Sequence, residues 1–270
     1  MADYMTAKAI TSMDGAYSVK GLNVLITGGN RGIGRGISEA FAQSGANVCI
    51  VCTNEESGKK AVEEINKYGG HNMFIKCDVS KLEDCKAAKE AYFAEYDFLD
   101  VLINNAGVGC TAPFLTDEGY EEWQKVIAVD LNGVANMCFE FAPAMRDAKR
   151  GGTIINTSSI GSERITVSPE QHTAPYSVAK AGVNVFSRYL AMVLGDADIR
   201  VLSVMPGPIH SDLEGDLPKE AIENAYRVMP AHRFGEPIEI GAFYVFLASP
   251  AATFIRGVNI PFDGGLMCRV

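Results

Sequence analysis

"VLITGGNRGIGRGI", residues 24–37, runs from an apolar, strand-like stretch through a glycine turn into a helix-like one. Gly28, Gly32 and Gly34 give the spacing G-x-x-x-G-x-G. Glycine has no Cβ, so its backbone can approach a pyrophosphate closely and adopt positive φ. A helix beginning at this point offers free N–H groups and the positive end of its dipole to phosphates. Any tight β-to-α turn can be glycine-rich. Here, however, the pattern lies between a strand and a helix at the first such junction, the context that dinucleotide binding requires. The turn thus predicts Gly28, Asn30, Arg31, Gly32, Ile33 and Gly34 as contacts of a dinucleotide.

The alternation continues along the chain. Apolar runs of strand length occupy 23–28, 47–52, 72–79, 100–105, 152–159, 199–206 and 258–265, with helical patterns at 32–44, 57–68, 81–96, 118–147, 175–196 and 237–248. Nearly continuous apolar strands, rich in Val and Ile and alternating with helices, predict a parallel sheet covered on both faces. The expected fold class is α/β: a single doubly wound, Rossmann-type domain over 21–270 with a mostly parallel seven-stranded sheet. Residues 1–20 read as an N-terminal extension, either disordered or laid over a neighbouring subunit. The stretch 207–236 breaks the rhythm with prolines and mixed charge. It predicts a loop and short helix, a substrate lid, over the carboxyl edge of the sheet where ligands bind in such folds.

Composition narrows the partners. A net charge of -9 works against binding a phosphate backbone, so nucleic acid is not expected. No run of 18 apolar residues is present, so no membrane-spanning helix is expected. The N-terminus lacks the apolar centre of a secretory signal. The seven cysteines are scattered. Cys49 and Cys52 form a C-x-x-C, but in a strand, where positions i and i+3 face opposite sides. No second pair completes a zinc set. The cysteines read as free thiols in a reducing, cytoplasmic setting, with no metal site and a small molecule as substrate.

The end of the second strand bears on which dinucleotide binds. NAD enzymes usually place an acid there for the ribose 2′-hydroxyl. Here Cys52, Thr53 and Asn54 occupy the place, and no carboxylate appears until Glu55. Thr53 and Asn54 can hydrogen-bond a 2′-phosphate, and Arg31 offers a cation nearby. NADP(H) is therefore favoured over NAD(H), although Arg31 could equally serve the pyrophosphate or ribose.

Further along, "PYSVAK" (175–180) puts Tyr176 and Lys180 at i and i+4, on one helix face. Such a pair alone is common. Together with "TGGNRGIG" (27–34), "CDV" (77–79), "NNAG" (104–107), "NTSS" (156–159), "MPGPIHS" (205–211), "RFGEP" (233–237) and "FDGG" (262–265), in this order, the chain resembles the short-chain dehydrogenase/reductase family over about 20–266. The resemblance implies an NAD(P)(H)-dependent oxidoreductase that interconverts a secondary alcohol and a ketone. It implies adenine-side contacts at Asp78 and Val79, a cofactor wall at Asn105, Ala106 and Gly107, and contacts near the nicotinamide from Pro206, Gly207, Ile209 and Ser211. Tyr176 is then the proton donor and acceptor. A tyrosine with an ordinary pKa of about 10 is a poor base near neutrality. The ammonium of Lys180 one turn along favours its phenolate and can hold the nicotinamide ribose. Ser159 is placed to hydrogen-bond the substrate oxygen, with Ser158 expected on the other face.

Two features depart from the family pattern. Where the family commonly reads V-N-L-x-G, this chain has "VDLNG", putting Asp130 in the catalytic set. Asn132 cannot stand in, because two residues on is about 200° round a helix. The family role relies partly on a backbone carbonyl that holds a relay water, which Asp130 retains. Second, the stretch between Ser159 and Tyr176 is longer than usual. Its extra residues read as a loop over the substrate, and His172 within it and His210 beyond are candidate substrate contacts or plain loop residues. Ile165, Val167, Cys110, Tyr226 and Met229 would line a roomy apolar pocket, suiting a bulky alicyclic ketone such as a hydroxysteroid. A sugar or polyol is the alternative, since polyol-type members of the family also lengthen this loop. A 3-ketoacyl-carrier-protein reductase would need a basic patch for an acidic carrier, and "SDLEGDLPKEAIEN" is acidic. A non-catalytic dinucleotide sensor would be expected to have lost Tyr176 or Lys180. The resemblance also implies a homotetramer or homodimer built on the long helices, with Met137, Phe141, Val185 and Tyr189 on their faces.

Overall fold

The computed structural model describes residues 9–164, 173–210 and 219–268, with the backbone alone at 219 and 221. Seven strands form one sheet: β1 (Asn23–Thr27), β2 (Asn47–Cys52), β3 (Met73–Lys76), β4 (Val101–Asn104), β5 (Gly152–Thr157), β6 (Ile199–Pro206) and β7 (Asn259–Phe262). Their order is β3-β2-β1-β4-β5-β6-β7. Every pairing among the described residues is parallel, in keeping with the expected mostly parallel sheet. Strand order reverses between β1 and β4, which opens a crevice at their carboxyl ends.

Alternation along the strands fills both faces. On β1, Leu25 points into one core, while Val24 and Ile26 point into the other. The first core is closed by α3 (Leu82–Glu95), α5 (Gly133–Asp147) and α6 (Ala174–Val193), through Tyr92, Met137, Phe141 and Val183. The second is closed by α1 (Gly32–Gln43), α2 (Glu55–Asn66) and α8 (Pro237–Ala248), through Ile37, Phe41, Ile65 and Tyr244. Met137 and Phe141 are fully buried in their own chain and cannot serve an interface as expected. Helical periodicity marks an apolar stripe but does not say whether sheet or partner covers it. Val185 and Tyr189 do lie on the outside.

The pattern at 118–147 is not one α-helix. It divides into α4 (Asp117–Val126), a π-helical segment (Ile127–Asn132) and α5. Within the extension before β1, Ala16 and Val19 are buried against their own chain, and the Ala16 carbonyl accepts from Ala251 N at 2.7 Å. A buried Arg200 in β6 donates to the carbonyls of Leu247 (2.8 Å) and Ala248 (3.3 Å) at the end of α8, where a cation suits the helix dipole. Burial, and then Arg256 nearby, push its pKa down to about 10.

Candidate active site

The glycine turn folds back on itself. Gly28 and Gly32 have φ of +65° and +52°, in the region that favours glycine. A Cβ on Gly34 would lie 2.1 Å from the Gly28 carbonyl oxygen, so no side chain fits there. Arg31 is the N-cap residue of α1, makes no side-chain cap, and is followed by a first turn without an acidic residue. The N-terminal N–H groups and dipole of α1 thus face the crevice uncompensated, which fits a bound pyrophosphate.

A cleft of about 1750 Å³ runs along the carboxyl edge of the sheet. Of the residues read from sequence, it is lined by Gly28, Asn30, Arg31, Gly32, Ile33, Gly34, Thr53, Asn54, Asp78, Val79, Asn105, Ala106, Gly107, Asp130, Ser159, Tyr176, Lys180, Pro206 and Gly207. Ile209 does not line it. Ile209 makes an isolated parallel bridge to Gly235, and its side chain turns into the second core and lines a separate 250 Å³ groove. Ser211 lies outside the described residues.

At the end of β2, Asn54 caps α2: its Oδ1 accepts from Ser57 N at 2.9 Å. That oxygen is committed, leaving the amide nitrogen and the exposed Thr53 toward the cleft. Arg31 lies near enough to Cys52 to favour its thiolate, although burial, the larger effect, raises the thiol pKa.

Short polar residues inside the strands stitch the centre together. Thr27 Oγ1 accepts from Asn105 N at 2.9 Å and Ala106 N at 3.0 Å. Asn104 donates to Asn156 at 2.8 Å, and Asn156 to Ser187 at 2.8 Å. Asn104 and Asn105 therefore steady the sheet, while Asn105, Ala106 and Gly107 line the cleft. Thr27, Asn156 and Ser187 were missed in the sequence; the available signal was a polar residue within an apolar run.

The candidate catalytic groups converge at the start of α6. Lys180 Nζ lies 5.4 Å from the centre of the Tyr176 ring. The lysine is buried, donates to the Thr157 carbonyl at 3.1 Å, and pairs with Asp130 Oδ2 at 3.0 Å. Burial alone would lower its pKa; Tyr176 and Asp130 outweigh that and raise it, keeping the ammonium charged. A Cβ on Gly161 would meet Ser159 Oγ at 3.3 Å and Tyr176 Cε1 at 3.8 Å, so the serine hydroxyl and tyrosine ring border one small space. Ser158 is turned away, its hydroxyl donating to the Lys180 carbonyl at 3.0 Å.

The loop following β4 forms the facing wall and is held by two carboxylates. Val108 N donates to Asp130 Oδ1 at 2.8 Å; Thr111 N and Ala112 N donate to Glu122 Oε2 at 2.7 and 2.8 Å. These donors, the Ala112 N–H foremost, hold the Glu122 carboxyl below its usual range. Glu122 carried no sequence signal, since its partners are backbone groups. Between these anchors, Cys110 lines the cleft, and burial pushes its thiol pKa up.

The lid corrects the expected pocket lining. Met229 is buried with Phe234 and Leu266 in a small core of its own. Tyr226 lies edge-on to Phe234 with ring centres 5.1 Å apart. Neither lines the cleft, because the lid helix α7 (Lys219–Val228) spends its apolar face on the C-terminal segment. His210 does line the cleft, with Nε2 3.8 Å from Glu236 Oε1. Ile165, Val167 and His172 lie outside the described residues. Among the described residues, no cluster of His, Cys, Asp or Glu could hold a metal ion, and no helix is long and apolar enough to cross a membrane.

A Rossmann-type sheet with a glycine turn at its first junction and a Ser–Tyr–Lys cluster at its edge defines a dinucleotide-dependent oxidoreductase. The family described as enoyl-(acyl carrier protein) reductase matches residues 28–267. The chain is 38% identical over 243 residues to a 3-oxoacyl-(acyl-carrier-protein) reductase of Chlamydia muridarum, covering 90% of this chain and 96% of that one. It is 33% identical over 265 residues to D-threitol dehydrogenase of Mycolicibacterium smegmatis, covering 97% and 98%. The L-sorbose reductase of Gluconobacter frateurii, solved with NADPH and L-sorbose, superposes with a TM-score of 0.84 at 29% identity, covering 94% and 100%. The chain belongs to the short-chain dehydrogenase/reductase family, oxidoreductases acting on CH–OH groups.

Proposed function

We propose that the protein is an NADP(H)-dependent reductase of small polyhydroxylated ketones, operating in reverse as a polyol dehydrogenase. The observation that carries this reading is the lining of the cleft that Tyr176 borders. Among its described residues are Gly109, Cys110, Ser159, Thr173 and His210, while Tyr226 and Met229 are withdrawn into the lid. Small and hydrogen-bonding groups suit a substrate bearing several hydroxyls; a hydroxysteroid needs a broad apolar wall. The likeness to threitol dehydrogenase and L-sorbose reductase supports the same class.

The glycine turn and the start of α1 would hold the pyrophosphate, Asp78 and Val79 the adenine, and Thr53, Asn54 and Arg31 the 2′-phosphate. The cofactor, when bound, would supply the hydride. Ser159 would hold the ketone oxygen, and Tyr176 would deliver the proton to it. Lys180, kept charged, would favour departure of that proton and hold the ribose. A panel of ketoses, hydroxysteroid ketones and an acetoacetyl thioester, followed by NADPH absorbance, tests the class. Turnover led by the ketoses is expected; preference for the steroid or the thioester would overturn it. The likeness to the carrier-protein reductase gives the thioester its place on the panel.

We also propose a homotetramer or homodimer. Val185, Tyr189 and Met192 on α6 are 58%, 65% and 84% exposed, and Phe139 on α5 is 69% exposed, an apolar surface suited to another copy. A light-scattering mass near the 29.0 kDa of one chain at micromolar concentration would refute it.

A further inference from the structure

Asp130 occupies an unusual position. It lies in the π-helical segment, its side chain is 0% exposed, and its two oxygens serve different elements. Oδ1 accepts from Val108 N, on the loop that walls the substrate space, at 2.8 Å. Oδ2 pairs with Lys180 Nζ at 3.0 Å. Gly107 closes over both: a Cβ there would meet Oδ2 at 2.7 Å and Nζ at 3.5 Å. An asparagine could not reproduce this. Its single oxygen can serve either the Val108 N–H or the ammonium, while its NH₂ would point a donor at the other donor.

We propose that Asp130 is a positioning residue whose side-chain carboxylate couples Lys180 to the substrate loop, fixing the cation and the wall in one arrangement. The inference rests on the reading of Tyr176 as proton donor and Lys180 as its cation. The carboxylate is therefore needed for itself, beyond any part played by its backbone carbonyl. Among the described residues, the groups facing Lys180 are few. Tyr176 comes from its own helix and Asp130 from the π segment; β5 presents the Thr157 carbonyl and the loop presents the Gly107 backbone. Burial favours neutral Lys180, and Asp130 is one of two groups opposing that. Losing the carboxylate should make the ammonium give up its proton at lower pH, so activity that needs the charged lysine fails earlier on the alkaline side.

The test compares ketone reduction by the wild type, Asp130→Asn and Glu122→Gln across pH, with NADPH affinity measured by fluorescence. Glu122→Gln loosens the same loop without touching Lys180. Asp130→Asn should lower kcat by about 10- to 100-fold, the scale of an active-site misplacement. It should also move the alkaline limb down by about one pH unit. Glu122→Gln should raise KM and leave that limb in place. Wild-type kcat and limb position in Asp130→Asn would overturn the proposal, as would an equal limb shift in Glu122→Gln. If Asp130→Asn does not fold, Asp130→Ser, which leaves room for water beside Lys180, carries the same expectations. If the wild type reduces no ketone on the panel, the substrate reading fails by itself. The coupling is then read on NADPH binding, which Asp130→Asn should weaken more at alkaline than at neutral pH; equal weakening would overturn it.

Discussion

Asn30 Nδ2 donates to Ser57 Oγ at 2.9 Å, tying the glycine turn to the first turn of α2. Ser57 N is in turn capped by Asn54, so short polar side chains border the cleft at the end of β2, where the proposed 2′-phosphate would sit. The first acid, Glu55, is engaged by Lys59 at 2.6 Å. NADPH should be used in preference to NADH. Thr53→Asp should reverse the preference by placing a charge against the 2′-phosphate. A change of at least about tenfold in the ratio of kcat/KM values corresponds to about 1.4 kcal/mol, a modest demand on two like charges. A wild type that prefers NADH would mean that Cys52 and Thr53 face the ribose hydroxyls instead.

Tyr176→Phe should abolish turnover and spare cofactor binding. The change removes one hydroxyl and keeps the ring, so the packing beside Gly161 survives. A general acid contributes roughly 100- to 10,000-fold, and kcat should fall by at least that range. An unchanged kcat would remove Tyr176 from the mechanism. Lys180→Met is a less clean probe. It strands the buried carboxylate of Asp130, and breaking a buried ion pair by removing one partner costs roughly 3–5 kcal/mol.

The approach of α1 and α8, which borders the cleft, offers a test of packing. A Cβ on Gly36 would meet the Pro237 carbonyl oxygen at 2.2 Å, and one on Gly241 would meet the Gly36 carbonyl oxygen at 2.4 Å. These neighbours are backbone and cannot swing aside. Gly36→Ala gains about 1 kcal/mol of helix propensity. It loses roughly 1–3 kcal/mol to overpacking, and more where backbone blocks relief. Its Tm should fall, while Gly195→Ala, with open space around the new methyl, should leave Tm nearly unchanged.

These contrasts mark where sequence could be read and where it could not. The glycine turn, the strands and the Tyr176–Lys180 pair were legible because each follows from local period or spacing. A four-residue separation on a helix fixes a shared face whatever surrounds it. Met137 and Phe141 were not legible as core, since the apolar stripe they mark looks the same whether sheet or subunit covers it. Nor was the π segment, which arises where α4 and α5 join and turns Asp130 toward Lys180. Tyr226 and Met229 were misassigned for a related reason. Their partners are Phe234, further along the lid, and Leu266, about thirty residues beyond it, and nothing local announces that pairing. Glu122 escaped notice because it acts on backbone N–H groups, which leave no trace in residue identity.

The start of α8 carries a pH-dependent contribution to stability. Glu239 accepts from both terminal nitrogens of Arg233 at 2.7 Å and from Glu236 N at 2.8 Å. The Arg233 hydrogen bonds come first, then the Glu236 N–H, and together they bring its pKa down to about 2 from 4.5. A carboxyl whose pKa is lower folded than unfolded stabilises the fold above its unfolded value. That contribution disappears as pH falls through the folded value. Glu239→Gln keeps an oxygen for Glu236 N and loses the charge, so its Tm should lie below wild type at neutral pH. The gap should stay full above about pH 4.5 and narrow as pH falls toward 2. Because the pair is 56% and 40% exposed, high salt should narrow it as well. Thermal melts of the two proteins across that range decide the matter. A gap that persists unchanged at low pH would show that the carboxylate's charge is not what stabilises this helix start.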